Sequence, residues 1–223
     1  YNEEDFIVKT LLHLTSLKKE ATFEIIVSDG GSTDNTVEVS KPYATIINSP
    51  KGKAKQMNNA AKHAKGNILF FVHADMTVPP GALTAIKSKI AGGCDSGGFS
   101  NVFETHNKKI KLIGRLFHLR LTNKSQAEHK LFYGDNGIFV RKEVHEKVGG
   151  FKEIPIMEDY DFSKRMLASY KVNLISDPKI IVDARRHIKD GFIRTRIKWM
   201  LIKQLYLLGV SPEKLDRWYK DIR

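Results

Sequence analysis

Three carboxylates stand where apolar, β-branched runs give way to turn residues. Asp29 follows Phe23–Ser28 and precedes Gly30-Gly31, Asp75 follows Ile68–His73, and Asp135 lies between Gly134 and the short run Gly137–Val140. In open α/β sheets ligands sit outside the carboxyl ends of the strands, so acids collected there mark a polar binding site. A second ingredient is basic. Pro50-Lys51-Gly52-Lys53-Ala54-Lys55 joins a strand signal to a helix signal, and cations with a glycine at a helix start can cradle phosphate through side chains and backbone N–H groups. A third is the acidic run Glu158-Asp159-Tyr160-Asp161 at the head of a helical stretch, where the helix dipole favours negative charge. Each segment also has a plainer reading: an Asp-Gly turn with a Ser32 or Thr33 cap, a solvated basic turn, and acids that only complement a dipole.

The elements needed to position these groups are legible as an alternation. Phe23–Ser28, Ala44–Asn48 and Ile68–His73 read as buried strands. Asp34–Ser40, Ala54–Ala64 and the stretch from Pro79-Pro80-Gly81 to about Gly92 read as the helices between and after them. This order implies parallel strands with right-handed crossovers. The second half predicts a strand over Ser96–Phe103, a helix over Lys109–Leu121 and a short strand over Gly137–Val140. Helices over Lys142–Val148 and Glu158–Ala168, a strand over Ile180–Ala184, and closing helices over Ile193–Leu208 and Pro212–Lys220 complete it. The fold class is α/β, with a Rossmann-like, mostly parallel sheet flanked by helices. Residues 1–223 form one domain whose last part, 190–223, is a helical extension.

The octet Asp29-Gly30-Gly31-Ser32-Thr33-Asp34-Asn35-Thr36 resembles the first nucleotide-contacting loop of glycosyltransferase family 2, and the fold this implies is GT-A. By that resemblance Asp29 hydrogen-bonds the base of a nucleotide. Gly30 lets the backbone approach it, and Ser32 and Asp34 complete the loop. His73-Ala74-Asp75 stands at the family's D-x-D position. Asp75 keeps the place of the acid that binds Mg²⁺ or Mn²⁺ on the donor diphosphate, a task for a hard oxygen ligand. His73 replaces the first Asp, and touches ribose, binds the metal or simply packs. Lys51 and Lys53 belong to the diphosphate-facing loop, and Gly134, Asp135 and Asn136 to the loop where substrate meets the sheet. Met157-Glu158-Asp159 matches the E-D motif. Its second acid, here Asp159, removes the acceptor hydroxyl's proton in an inverting displacement, while Glu158 orients it or binds the acceptor. Late in the chain, Arg185 and Arg186 are placed to close over the diphosphate, and His187 to complete the metal shell.

A narrower similarity is carried by "PKGKAKQMN", "FVHADMTVPPGAL", "GDNGIFVRKEV", "MEDYDFSKRM" and "GVSPEKLDRWY". Together they resemble a bacterial subgroup, the radical-SAM/selenodomain-associated transferase 2 type. Tyr1-Asn2-Glu3-Glu4 looks like the turn that follows the family's first hydrophobic strand, so a strand is expected ahead of Tyr1.

Composition narrows the rest. The 223 residues hold 37 Lys and Arg against 25 Asp and Glu, a net charge of +12, with 41% hydrophobic and 28% charged residues. That is a globular composition with a preference for anionic partners. The single cysteine, Cys94, excludes an internal disulfide and a Cys-rich zinc site and suits a reducing cytoplasm. No apolar run reaches the roughly 20 residues that span a bilayer, and no nucleic-acid-binding signature is present. The expected function is metal-assisted, inverting transfer of a sugar from a nucleotide-diphospho-sugar, UDP-sugars first, to an acceptor hydroxyl. A lipid-linked acceptor would place the protein in the cytoplasm at the inner face of the membrane, with peripheral membrane contact through the basic, Trp199-bearing stretch Arg185–Lys203. The alternative is a degenerate, inactive GT-A fold that binds a membrane or polyanion.

Overall fold

The computed structural model describes residues 1–104, 130–183 and 191–221. Its elements follow in chain order: α1 (Glu4–Ser16), β1 (Ile26–Asp29), α2 (Thr36–Ser40), β2 (Thr45–Asn48), α3 (Lys53–His63), β3 (Ile68–Phe70), β4 (Met76–Thr77), α4 (Ala82–Ala91) and β5 (Ser96–Glu104). A 3₁₀ turn at Gly134–Asn136 then leads into β6 (Phe139–Arg141), α5 (Lys142–Lys147), α6 (Glu158–Ser169), β7 (Val172–Asp183), α7 (Phe192–Leu207) and α8 (Pro212–Asp221). The expected helix over Lys109–Leu121 lies outside the described residues.

β1 and β2 pair in parallel, as their intervening helix implies. The other strands form a five-stranded mixed sheet in the order β3-β6-β5-β7-β4. There β5 and β7 run parallel, while β6 is antiparallel to both β3 and β5, and β4 is antiparallel to β7. The alternation of strand and helix signals suggested that β3 continues the parallel run, but its bonded neighbour is β6. The reason is non-local: antiparallel pairing needs no crossover helix, so the local pattern around Ile68 does not disclose the partner. β7 is also far longer than the expected Ile180–Ala184, because its first half, Val172–Ile175, pairs with Ser96–Phe99.

Both faces of the larger sheet are covered. In β3, Leu69 faces one core and Ile68 and Phe70 the other; in β6, Val140 and Phe139 divide in the same way. This is the period-2 alternation of a strand buried on two sides. One core joins Met76, Ile86, Phe99, Phe139 and Ile180, and α4 packs over β7 there. The other joins Leu69, Phe132, Val140, Phe151 and Phe162 with Ala54 and Ala61 of α3. Gly97 and Gly98 at the head of β5 are required by this packing. A Cβ at Gly97 would lie 2.6 Å from the Phe139 ring, and one at Gly98 would lie 2.5 Å from Phe132. The third cluster seats α7 and α8 on α6, with Ile202 and Leu215 packed against Ile156, Met157 and Tyr160.

Candidate active site

The first loop is built around Asp29, whose side chain serves its own turn. Its Oδ2 accepts the N–H groups of Gly31 and Ser32 at 2.9 and 2.8 Å, and its Oδ1 accepts the Ser32 hydroxyl at 2.5 Å. Burial pushes the carboxyl up, but these three donors outweigh it and leave it below the usual Asp range. Asp34 does the same one turn later, accepting the Thr36 N–H and hydroxyl at 3.0 and 2.6 Å. Gln56 of α3, which sequence reasoning passed over, closes the loop from beneath. Its amide donates to the Ser28 carbonyl at 2.8 Å, and a Cβ at Gly30 would meet it at 3.0 Å. Gly30 is thus the position that lets α3 approach the strand end.

The chain start docks onto this loop. Asn2 N–H donates to the Ser32 hydroxyl and Asn2 Oδ1 accepts from Thr33 N–H, both at 2.9 Å, while Glu3 N–H donates to the Thr36 hydroxyl at 2.8 Å. Lys51 sits 3.6 Å above the Tyr1 ring, a cation–π contact that ties the basic turn to the same region. Lys53, at the first position of α3, is exposed; its charge acts on Asp135 and Glu158.

The second group converges on Gly134. Met157 takes a left-handed backbone (φ 69°) ahead of α6, an uncommon conformation for a side chain of its size. It directs the first turn of the helix, Glu158 and Asp159, at the 3₁₀ turn. Asp159 Oδ2 accepts the Gly134 N–H at 2.6 Å, and Oδ1 accepts the Tyr160 N–H at 2.7 Å. The Ser163 hydroxyl bridges the Phe132 N–H and carbonyl at 3.1 and 2.7 Å, clamping residues 132–134 onto α6. His73 covers Gly134 from β3's side, at the turn Ala74-Asp75 that leads to β4. Thr10 of α1 holds that turn by donating to the Ala74 carbonyl at 2.6 Å.

Three carboxyls therefore crowd one place. Burial raises Glu158 to about 7 and Asp135 to about 6; in both the neighbouring Asp159 charge adds to the rise and Lys53 opposes it. Arg196 of α7 also opposes the rise at Asp135. Burial and the nearby Asp159 charge also push the Tyr133 phenol up. Asn136 is fully buried and structural: its amide donates to the Phe99 carbonyl at 3.0 Å and accepts the Tyr133 N–H at 2.9 Å. Asn101 likewise anchors the turn through the Asp135 carbonyl at 3.0 Å.

Asp75 is half-buried, and its carbonyl accepts the Asp183 N–H at 3.4 Å. The end of β7 thus brings a second acid beside it, one that sequence reasoning missed because β7 pairs with β4 only in three dimensions. Oxygen donors of this kind fit Mg²⁺ or Mn²⁺. Among the described residues no three His, Cys, Asp or Glu side chains form a ready cage. Arg185, Arg186 and His187 lie outside the described residues.

Comparison with known proteins bears on the family and the fold. The chain is 32% identical over 83 residues to the uncharacterized glycosyltransferase YfnE of Bacillus subtilis, covering 34% of this chain and 21% of that protein. It is 29% identical over 129 residues to the dolichyl-phosphate beta-glucosyltransferase ALG5C of Trichomonas vaginalis, covering 54% of this chain and 35% of the relative. The chain thus spans about a third or less of the length of the curated relatives it matches. Among solved structures it resembles the mannosyltransferase PcManGT of Pyrobaculum calidifontis, in complex with GDP-Man and Mn²⁺, with a TM-score of 0.65 at 21% identity over 97% of this chain and 65% of that one. It also resembles residues 1–349 of S. aureus TarS, with a TM-score of 0.61 at 18% identity over 97% of this chain and 66% of the other. These likenesses give the fold as GT-A. Residues 1–149 match the family model of Glycosyl transferase family 2, and the chain belongs to that family.

Proposed function

We propose that this chain is the catalytic domain of an inverting glycosyltransferase that moves a sugar from a nucleotide-diphospho-sugar to an acceptor hydroxyl. The observation that carries the reading is the position of Asp159. Its carboxylate is fixed by two backbone N–H groups at the head of α6, beside the His73 ring that borders the same glycine, Gly134. In this role Asp159 accepts the proton of the attacking hydroxyl, and the sugar's anomeric centre inverts in a single displacement. Glu158, whose carboxyl burial raises to about 7, orients the base or binds the acceptor, and Asp135, raised to about 6, belongs with Gly134 and Asn136 to the loop where substrate meets the sheet. Asp29, Gly30, Ser32 and Asp34 shape the nucleoside loop. Lys51 and Lys53, with Arg185 and Arg186, face the diphosphate, and His73 borders the donor. A divalent cation would be held by Asp75 and His187, with Asp183 near, and would neutralise the departing nucleoside diphosphate.

The donor reading is supported by the family and by the GDP-Man and Mn²⁺ of the Pyrobaculum neighbour. Uridine donors, the family's commoner choice, are the first to test. A lipid-linked acceptor is supported by the dolichyl-phosphate relative, and it would set the domain at the cytoplasmic face of a membrane. No helix among the described residues is long and apolar enough to cross one. The five sequence stretches quoted above support the selenodomain-associated transferase subgroup.

The test is to incubate the protein with UDP- and GDP-sugars, Mn²⁺ and extracted bacterial lipids, and to follow nucleoside diphosphate release. Release that needs Mn²⁺ and disappears in Asp159→Asn is the expected result. Release that is unchanged in Asp159→Asn would remove the proposed base.

A further inference from the structure

We infer that the outer face of α7 is a docking surface for an anionic membrane. Ile193, Ile197, Met200, Leu201 and Leu207 lie on this helix with 59, 48, 56, 43 and 47% of their surface exposed. Leu208, just past its end, is 80% exposed. The spacing i, i+4, i+7, i+8, i+14 and i+15 makes one stripe along a helix, interrupted at i+11 by the exposed Gln204. The opposite side of α7 is used differently: Thr195 and Ile202 are buried, and Trp199 and Tyr206 pack toward α6 and α8. The stripe is therefore not an exposed end of the core. It is a second apolar surface on a helix whose first is already satisfied.

The charge around it selects the occupant. The helix carries Arg194, Arg196, Lys198 and Lys203 and no carboxylate along Phe192–Leu207. A second copy packed through the same stripe would set like charges against like, because a two-fold interface repeats one patch on both sides. An anionic leaflet instead neutralises the exposed Arg194 and the part-exposed Lys198 beside Ile197 and Leu201 while the apolar residues enter the acyl boundary; Arg196 turns to the carboxyl cluster, and Lys203 lies 5.5 Å from the Tyr160 ring centroid. The same helix reaches the carboxyl cluster: Arg196 acts electrostatically on Asp135 and Tyr133. A helix is about 10 Å across, so docking through the stripe would hold the site within roughly that distance of the headgroups. The surface stands on its own geometry and does not depend on the transfer reading.

Co-sedimentation with vesicles tests it. The probes are pure phosphatidylcholine and a mixture with phosphatidylglycerol. Binding is expected to be at least tenfold tighter to the mixture and to weaken with salt. Ile197→Asp should weaken it at least tenfold more. Leu12→Asp changes the charge equally at another exposed leucine, on α1, and should have an effect within twofold. A Met200→Trp variant in vesicles with brominated acyl chains should show quenching beyond that of the wild type, a readout independent of whether the Asp variant folds well. Equal weakening by Ile197→Asp and Leu12→Asp, or absence of added quenching, would overturn the inference. So would a dimer that Ile197→Asp dissociates without loss of vesicle binding, since a second copy would then own the stripe.

Discussion

A Cβ placed on Gly134 would fall 2.4 Å from Cε1 and 2.6 Å from Nε2 of His73, and 3.5 Å from Oδ2 of Asp159. The imidazole at the family's variant position thus uses the space that glycine leaves open, directly beside the candidate base. Gly134→Ala is expected to displace His73, destabilise the fold by about 1–3 kcal/mol and reduce turnover at least tenfold. In a His73→Ala background the same substitution should cost much less stability, because the ring it strikes is gone. A double-mutant cycle by chemical denaturation measures that coupling; purely additive effects would mean that the ring moves aside freely.

Asp159→Asn keeps an oxygen for the Gly134 N–H but cannot accept a proton. Turnover should fall by about 10²–10⁴, with nucleotide affinity held within about threefold. A parallel loss of nucleotide affinity would identify Asp159 as part of donor binding instead.

Glu158 gives a signed dependence of stability on pH. Its carboxyl titrates near 4.5 when unfolded and near 7 in the fold, raised by burial and by the Asp159 charge. The folded state therefore holds the proton more tightly. The contribution is fully present below pH 4.5 and is lost as pH rises to about 7. Glu158→Gln imitates the protonated form, so it should match the wild type at pH 4 and be more stable by on the order of 2 kcal/mol at pH 8. Asp135, raised to about 6 by burial and Asp159, should leave a smaller slope of the same sign in the variant. Urea unfolding from pH 4 to 8 reads both.

Asp29 carries the opposite sign. Its three donors outweigh burial and lower its folded titration range, so its contribution is present above the unfolded range and lost as pH falls through the folded one. Ser32→Ala removes the 2.5 Å hydroxyl contact and should cost about 1 kcal/mol at pH 7. The penalty should shrink toward pH 3, where the carboxyl is protonated in the unfolded chain.

Much of this site was legible because its parts are local. Asp29-Gly30, the Lys51–Lys55 turn and Glu158-Asp159 each announce a strand end or a helix start. The boundaries of α3, α4 and α6 came within a few residues because glycines and polar caps punctuate them. What stayed hidden depends on contacts between distant segments. Asp183 reaches Asp75 through the pairing of β7 with β4, and Gln56 is recognisable only once α3 lies under Gly30. Asn136 looked like a substrate-loop residue, yet its amide is spent on Phe99 and Tyr133. Trp199, expected within a membrane-contacting stretch, turns inward, its ring centroid 5.1 Å from that of Tyr219, while Met200 and Leu201 beside it are exposed. Periodicity shows that a helix has faces; only the packing shows which one is covered.

The most direct test is calorimetric titration of the protein with UDP and with GDP, each with and without Mn²⁺, alongside Asp75→Ala. The expected result is binding of one nucleotide that strengthens at least tenfold with Mn²⁺ in the wild type and gains nothing from Mn²⁺ in the variant. Equal affinity with and without the metal, or a Mn²⁺ response that survives Asp75→Ala, would contradict the assignment of Asp75 as the ligand for a metal-bound donor.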